Sequence, residues 1–403
     1  MRLIVFSSIA LAGSVAVGEA RADAVVDWMV IGHHAAEASR KATPGRMLAR
    51  EQAEPLMALA MFEAANTIER KYRDHGPPLP SRPGASPDAA VSAAAYLVLS
   101  KSLPDRAAAL KTQFEAALTK IPEGEAKNDG LAIGREAAAY ALAQGGADAA
   151  LPAEPYRPEG APGVWLPTAL PNCHWTTAQT RPFVLSAANE VRPPPPPSLR
   201  SAQWARDLEE VRAVGAYDSK TRSVYQTQLA QVLDWVDVWS VMQTVANRPD
   251  RTMIDNAHFY ATAMLALHDS YLAGCEGKMF YRFWRPITAI RNADHDGNPA
   301  TEREPGWEPL LTTPNHPEYP CAHCITGAAL AEVLRDETQG PLAMPSLSVP
   351  DANLVLADAD EYGREVSVAR IYAGVHYRFS VEAGQAMGRA IAARAKARLE
   401  RVK

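Results

Sequence analysis

The feature that most constrains this chain is the spacing of its apolar residues. They recur every three to four positions through most of the sequence, whereas the alternation typical of β-strands is nearly absent. Ala and Leu, which are strong helix formers, fill these periodic segments. The sequence therefore predicts an all-α protein built as a helical bundle. The predicted helices span residues 47–69, 88–102, 107–120, 125–144, 201–214, 221–245, 253–273, 276–293, 322–334, 351–372 and 381–399.

A proline-rich stretch divides the helical pattern into two parts. Periodicity stops between residues 152 and 199, and residues 193–197 are five consecutive prolines. Such a run favours the extended polyproline II conformation. We interpret 152–199 as a stiff connector packed along the surface, with a ligand for a partner as the alternative. It separates an N-terminal helical region, 23–151, from a C-terminal helical bundle, 200–403.

The first 22 residues have the pattern of an export signal. Arg2 precedes an apolar stretch at 3–18, and residues 20–22 supply a small-x-small cleavage pattern. We predict that 1–22 is a signal peptide and that the mature protein is exported, either periplasmic or secreted, with no stable membrane insertion. The alternative is an uncleaved N-terminal helix or anchor.

Charge and motifs exclude two broad classes of function. The chain has 41 Lys and Arg residues against 46 Asp and Glu residues, a formal net charge of -5, and the charges are scattered. This distribution provides no basic surface for nucleic acid. Because the sequence also lacks a Gly-rich phosphate loop of the Walker or dinucleotide type, nucleotide-driven chemistry is disfavoured. The sequence leaves the oligomeric state open.

The first of three segments with chemical potential contains two cations. Lys278 and Arg285 are seven residues apart, so in one continuous helix they would lie on the same face. A stripe of this kind can bind an oxyanion, and the alternative is a solvated basic face.

The second segment is a proline-bounded loop, 315–320, that runs into an apolar helical pattern beginning with Cys321, Ala322 and His323. The unpaired amides and the dipole of a helix N-terminus favour an anion at that point. His323 could exchange a proton beside that anion. The alternative for His323 is a surface or packing role.

The third segment contains Arg370 and His376, six residues apart. In one unbroken helix they would lie about 120° from a common face. We therefore predict that the helix ends near Gly374, that the short link brings His376 to the site, and that Ser380 caps the next helix. The alternative for His376 is a structural role.

The order Lys-x6-Arg-Pro, Pro-x-x-His and Arg-x3-Gly-x-His resembles a signature shared by two groups of proteins. They are vanadium-dependent haloperoxidases and type 2 phosphatidic acid phosphatases, the latter including soluble bacterial acid phosphatases. The resemblance covers 278–380, and residues 165–237 are similar in style to the soluble haloperoxidase-like branch. It implies a helical bundle of the haloperoxidase/acid phosphatase type with an extra N-terminal helical layer.

The resemblance also implies roles for seven residues. His376 falls on the vanadium ligand, or on the phosphate-attacking nucleophile, and His323 falls on the general acid/base. The residues on the positions that hold the vanadate or phosphate oxygens are Lys278, Arg285, Cys321, Ala322 and Arg370.

Two activities follow from the resemblance. The first is a haloperoxidase that carries vanadate as cofactor on His376 and oxidises halide with hydrogen peroxide. The alternative is an acid phosphatase without cofactor that hydrolyses phosphomonoesters through a phosphohistidine at His376, while His323 protonates the leaving alcohol. The partners are then small molecules, namely halide and peroxide or a phosphate ester. A non-catalytic oxyanion binder is a further possibility.

The chain departs from the family pattern at two places. Cys321 and Ala322 stand where the family usually has Ser-Gly, and a thiol is a poorer hydrogen-bond donor than a hydroxyl. Ser380 stands where the phosphatases have an Asp that orients the nucleophilic His, and loss of that carboxylate disfavours phosphotransfer.

The remaining cysteines and histidines carry weaker signals. Cys321 and Cys324 have the C-x-x-C spacing of thiol–disulfide proteins, but a structural bridge between them, or from either to Cys275, is favoured because the motif lies among helices. The other histidines show no ligand spacing, and core or surface positions are expected for them. They are His33, His34, His174, His258 and His316.

Overall fold

The structure is a computed structural model. It describes residues 23–42, 51–146, 159–167, 180–234, 238–338, 340–345, 349 and 353–402. The predicted signal peptide, 1–22, lies outside the described residues, as do Cys173 and His174.

Helices precede the proline-rich stretch, as the apolar spacing predicts. The helix α3 begins where Ser86 accepts a hydrogen bond from the amide of Ala89, with Pro87 at the first helical position. The first helix, which begins directly after the predicted signal peptide, was not predicted. In order the helices are α1 (Ala24–Ala42), α2 (Ala53–Glu69), α3 (Pro87–Ser102), α4 (Ala107–Thr119) and α5 (Glu125–Gln144).

The second half of the chain is helical as well, so the all-α fold class is confirmed. A short antiparallel pair, β1 (Leu342–Pro345) and β2 (Asn353–Leu356), aligns Leu342 with Leu356. None of the described helices is both long and apolar enough to cross a lipid bilayer. The helices are α6 (Ala202–Gly215), α7 (Val224–Val232), α8 (Val238–Ala246), α9 (Met253–Tyr281), α10 (Pro286–Arg291), α11 (Ala322–Glu337), α12 (Ala359–Tyr372) and α13 (Arg378–Arg398).

Two predicted helices differ from the observed ones at their boundaries. The pattern at 221–245 predicted one helix, and the structure has two, α7 and α8. The pattern at 351–372 predicted a helix throughout, but β2 occupies its first part. The helix α12 begins only at Ala359, where Asp358 accepts from the amide of Glu361 and caps it.

The break predicted after residue 273 was wrong, because α9 continues to Tyr281. Two glycines in this part of α9 allow close packing. A Cβ on Gly274 would meet the Ile325 side chain at 3.1 Å, and one on Gly277 would meet Pro320 at 2.8 Å. The glycines therefore bring α9 against the start of α11 without ending the helix.

The long helix α9 organises the interior. It packs against α2 on one side and α11 on another. One hydrophobic core runs from Val25 in α1 to Leu399 after α13, so helices from both predicted regions contribute to it. The predicted boundaries at 23–151, 152–199 and 200–403 stay predictions.

Polar contacts attach the described end of the proline-rich stretch to α9. The buried carboxylate of Asp269 accepts hydrogen bonds from the amides of Phe183, Val184 and Leu185 at 2.8, 2.7 and 2.9 Å. Further along, the Tyr281 hydroxyl donates to the carbonyl of Pro193 at 2.5 Å. The stretch is thereby held against the helix that carries Lys278.

Close packing of α11 against α13 leads to a stability prediction. A Cβ on Gly388 would lie 2.2 Å from the Ile325 carbonyl oxygen and 2.8 Å from the Ala329 amide nitrogen. We expect Gly388→Ala to lower the free energy of unfolding by about 2 kcal/mol, because backbone must move to admit the methyl group. Urea unfolding monitored by circular dichroism measures this. The control is Gly306→Ala, where a Cβ meets nothing within 4 Å, and an equal loss there would contradict the packing argument.

Candidate active site

The two cations of the first segment do not share a helix, which corrects the sequence interpretation. The helix α9 ends at Tyr281, and Arg282 adopts a left-handed conformation with φ of 49°. Arg285 is the N-cap of α10, and Pro286 is its first residue. Because a residue before proline avoids the helical region, Arg285 takes extended backbone angles. The turn, and not one helix face, brings Arg285 back toward Lys278.

Lys278 is buried and holds the loop before α11. Its ammonium donates hydrogen bonds to the carbonyl oxygens of Pro317, Glu318 and Pro320 at 2.9, 2.8 and 2.6 Å. Only 2% of the residue is exposed. Lys278 therefore fixes this loop, and its predicted direct contact with an oxyanion stays a prediction.

The helix start predicted in the second segment is confirmed. The helix α11 begins at Ala322 with Cys321 as N-cap. The Cys321 amide donates to the carbonyl of Ser380 at 3.4 Å, and the Cys324 amide donates to Sγ of Cys321 at 3.2 Å. The helix itself supplies no acceptor for the first-turn amides of Ala322 and His323. These amides remain suited to an anion, as predicted.

The helix end predicted in the third segment is also confirmed. The helix α12 ends at Tyr372, and Gly374 follows with φ of 78°. His376 lies in the short link before α13. The predicted cap was wrong, because the N-cap of α13 is Tyr377, and Ser380 is buried in the first turn.

The imidazole of His376 lies between a cation and a carboxylate. Its Nε2 accepts a hydrogen bond from Nη1 of Arg285 at 3.2 Å, and its Nδ1 lies 2.7 Å from Oε1 of Glu318. Arg285 also donates to the carbonyls of Val375 and His316, both at 2.8 Å. The structure therefore brings the first and third segments into direct contact.

Arg370 and His323 meet at Asp234, which follows α7. Nη1 of Arg370 donates to Oδ1 of Asp234 at 3.1 Å, and Nε2 of His323 donates to the Asp234 carbonyl at 3.0 Å. A cavity of about 870 Å³ is bordered by Arg370, His323 and His316, with an apolar wall from Leu310 and Leu311. Solvent-sized molecules can thus reach the acid/base candidate and one cation.

Burial and positive charge set the protonation of this site. Burial, with the charges of Arg285 and Lys278, lowers the pKa of His376 well below 6.5. Burial, with the charge of Arg370, does the same to the pKa of His323. Burial raises the pKa of Glu318 to about 7, although Arg285 and Lys278 oppose the shift. Both predicted catalytic histidines are therefore neutral at neutral pH.

Comparison with known proteins adds to this geometry. Residues 258–403 match the family described as the VCPO second helical-bundle domain. This match supports a relation of residues 258–403 to the vanadium haloperoxidase superfamily. All seven residues predicted for the site lie within the matched range.

Solved structures of vanadium haloperoxidases share the fold of the chain as a whole. One described as the first bacterial vanadium-dependent iodoperoxidase has a TM-score of 0.73 at 19% identity, and covers 94% of this chain and 97% of its own. The holo form of a bacterial vanadium-dependent chloroperoxidase has a TM-score of 0.66 at 17% identity, with 86% and 90% covered. Its apo form has a TM-score of 0.67 at 17% identity, with 86% and 92% covered. No curated protein matches the sequence of this chain.

The cofactor of vanadium haloperoxidases is an oxyanion, and the charges of this site fit such a group. Lys278, Arg285 and Arg370 are at most 2% exposed. In the described part of the chain the Asp234 carboxylate bonds Arg370, and the Glu318 carboxylate bonds His376 beside them. The three cations thus outnumber these two carboxylates. The buried Nε of Arg370 also has no acceptor in the described part of the chain. An oxyanion would supply both the compensating negative charge and a hydrogen-bond acceptor for Nε of Arg370.

Three residues of the site were not singled out by the sequence. Glu318 and Asp234 had no assigned role, and His316 was expected at the core or surface. His316 instead accepts a hydrogen bond at Nδ1 from Nη2 of Arg285 at 2.8 Å and borders the cavity. The one available signal was position, because Glu318 and His316 lie in the proline-bounded loop 315–320.

The structure shows which cysteines pair, a question that the sequence left open. Cys321 and Cys324 form a disulfide, and Cys275 takes no part in it. Both bridged residues are fully buried, which suits a structural bridge better than exchange with a thiol substrate. Because Sγ of Cys321 carries no hydrogen in this bridge, only backbone amides of this segment can donate to an oxyanion.

We expect loss of this bridge to lower stability moderately. It joins residues three positions apart, and the chain-entropy model assigns about 2 kcal/mol to so short a loop. Cys321→Ser combined with Cys324→Ser should lose this amount in urea unfolding.

A reductant provides the control for the bridge. It should lower the stability of the unaltered chain by a similar amount and leave the double variant unchanged. Cys275→Ser should keep the sensitivity to reductant. A double variant that remains sensitive would contradict the assignment.

Proposed function

We propose that this chain is a vanadium-dependent haloperoxidase that oxidises halide ions with hydrogen peroxide. The observation that carries the proposal is the contact of buried Arg285 with the imidazole of His376, beside a cavity that His323 borders. Buried Lys278 and Arg370 lie near enough for their charges to lower the pKa of the same ring. Vanadate, when bound, supplies a Lewis-acidic centre that activates peroxide toward halide. The fold shared with vanadium iodoperoxidase and chloroperoxidase supports the same activity.

Each residue has a role that its contacts support. Nε2 of His376 is the atom that would hold vanadium, and Arg285 would turn its Nη1 hydrogen from Nε2 toward a vanadate oxygen. Arg370, through Nε, and the first-turn amides of α11 would bind further oxygens. Lys278 adds charge and keeps the loop 317–320 in place.

His323 is suited to move the proton of peroxide. Because the Asp234 carbonyl can only accept, Nε2 of His323 carries the ring hydrogen, and Nδ1 is the basic atom of the neutral ring. We propose that Nδ1 accepts a proton as peroxide binds and returns it when the oxidised halide leaves.

Phosphomonoester hydrolysis is the second candidate, and Glu318 is the observation that favours it. Ser380 lacks the carboxylate by which phosphatases of this group orient their nucleophilic His. Here Glu318 places a carboxylate 2.7 Å from Nδ1 of His376. The absence of a carboxylate at Ser380 therefore no longer argues against a phosphohistidine at His376.

Two assays on the purified protein separate the candidates. One supplies vanadate, hydrogen peroxide and chloride, bromide or iodide with a phenol probe, and the other supplies a chromogenic phosphate ester without vanadate. Halogenation that needs vanadate supports the first proposal, and hydrolysis alone supports the second. Oxyanion binding without turnover in either assay would leave a non-catalytic binder.

We further propose that the chain is exported after cleavage behind residue 22. The buried Cys321–Cys324 disulfide supports an oxidising compartment. N-terminal sequencing of protein recovered outside the cytoplasm tests this, with Asp23 as the expected first residue.

A further inference from the structure

We infer that Glu318 is a positioning residue that fixes the tautomer of His376, so that the lone pair of Nε2 can hold the metal of vanadate. The use of that lone pair rests on the proposed function, whereas the tautomer itself does not. Glu318 was not predicted from the sequence, and it lies 58 positions from His376 along the chain.

The argument begins on the Arg285 side of the ring. A guanidinium has hydrogen-bond donors and no acceptor, so Nε2 of His376, 3.2 Å from Nη1 of Arg285, must accept. An imidazolium, or the tautomer with hydrogen on Nε2, would point two donors at each other. The ring is therefore neutral, and its one hydrogen is on Nδ1.

The Glu318 side requires the same tautomer. Oε1 of Glu318 lies 2.7 Å from Nδ1, which is a short hydrogen bond of the charge-assisted type. The same oxygen accepts the amide hydrogen of Tyr377 at 3.1 Å. Because the Arg285 contact leaves the ring hydrogen on Nδ1, Oε1 accepts from both Nδ1 and the Tyr377 amide. Arg285 and Glu318 thus select one tautomer from opposite edges of the ring.

The carboxylate is held as firmly as the imidazole. Glu318 has no exposed surface, and its backbone carbonyl accepts from Lys278, which also binds the carbonyls of Pro317 and Pro320. Its amide donates to the Phe283 carbonyl at 2.8 Å. Contacts on both sides of the residue therefore keep Oε1 on Nδ1.

A carboxylate on the far nitrogen orients a ligating imidazole and raises its basicity, and its loss typically costs 10- to 100-fold in affinity. In this chain the carboxylate comes from the loop before α11, whereas Ser380 on α13 has none. We therefore expect Glu318, through His376, to control the affinity for vanadate, whose metal the imidazole would ligate. Inorganic phosphate, bound only by charge and hydrogen bonds, should not lose affinity to the same extent.

The experiment measures the tautomer and the affinity separately. Long-range proton–nitrogen spectra of histidine-labelled protein, without vanadate, identify which nitrogen of His376 carries hydrogen. Titration with vanadate and with inorganic phosphate gives the affinities. In the unaltered chain we expect hydrogen on Nδ1 alone. In Glu318→Met only Arg285, whose Nη1 hydrogen can turn aside, opposes hydrogen on Nε2, so we expect a mixture of tautomers. Vanadate should bind 10- to 100-fold more weakly, without a matching loss for inorganic phosphate.

Glu318→Gln keeps the test decisive if the Met variant does not fold. Tyr377 still requires an oxygen acceptor, so the amide oxygen should face Nδ1 and preserve the tautomer, while the lost charge weakens binding less than in the Met variant. The matched control is Glu63→Met, which removes another fully buried carboxylate that also accepts a backbone amide, that of His75 at 2.7 Å. It should leave the His376 spectrum and both affinities unchanged.

The outcomes distinguish this inference from the proposed function. Hydrogen on Nε2 of His376 in the unaltered chain, or an unchanged tautomer and vanadate affinity in Glu318→Met, would overturn the inference while halide oxidation could stand. If the His376 tautomer changes when Glu318 is replaced, but the protein has no haloperoxidase activity, the inference is supported and the proposed function is rejected.

Discussion

Replacement of His376 by alanine is expected to lower vanadate-dependent halide oxidation by about 10³-fold or more. Nε2 of His376 is the atom that would hold the metal, and the ring contacts both Arg285 and Glu318. Its removal would take away the proposed ligand of the cofactor, and loss of a single group of this kind in a buried site costs at least as much as loss of an oxyanion donor.

The steady-state rate with bromide at saturating vanadate measures this effect, and a vanadate titration shows how much of it reflects lost binding. The control is His258→Ala in α9. His258 is also packed among aromatic rings, stacked on Tyr72 at 3.9 Å, and bonds the Leu399 carbonyl at 3.0 Å. It should lose stability and keep activity once folded. A His376→Ala variant that retains a tenth of the normal rate would reject His376 as the metal ligand.

The second large effect is expected from Lys278→Met, which should lower both stability and oxyanion affinity. The ammonium satisfies three buried carbonyls, and a methionine would leave all three without a donor. We expect a loss of about 3 kcal/mol or more in the free energy of unfolding. Because the same lysine holds the loop of Glu318 and adds positive charge, vanadate affinity should fall by at least about tenfold.

Lys127→Met in α5 is a matched control for this variant. Lys127 is also buried and donates to the carbonyls of Leu118 and Ile121 at 2.8 and 3.3 Å, but it lies in the N-terminal layer. It should lose stability without losing vanadate affinity. If both lysine variants bind vanadate as the unaltered chain does, the place of Lys278 in the oxyanion site is rejected.

The sequence predicted most of the helices because burial of one helix face leaves a local, periodic trace. It was less informative where a residue type can be explained either by a local backbone preference or by a contact with a distant segment. The pattern predicted a break after residue 273, but the helix continues, and Gly274 and Gly277 admit Ile325 and Pro320 against it. Similarly, Lys278 and Arg285 were grouped by helical spacing, and the structure groups them through the turn before Pro286.

The site was predicted unevenly for a related reason. Residues that match the family spacing were identified, and the structure brings His376, Arg285 and Arg370 to one region. Glu318 and His316 could not be identified in this way, because their roles depend on how the loop before α11 folds against α9 and α12. No spacing of residues along the sequence indicates that contact.

The sequence by itself determined that the chain is helical and where the helix bearing His323 begins, and its spacings predicted a set of cations and histidines for the site. These properties follow from local periodicity, from capping and from a signature of spacings. Only the tertiary structure decided that a carboxylate meets His376, that Lys278 binds carbonyls, and that Cys321 pairs with Cys324. Hydrogen bonds between distant segments have directions and distances that a linear pattern does not encode.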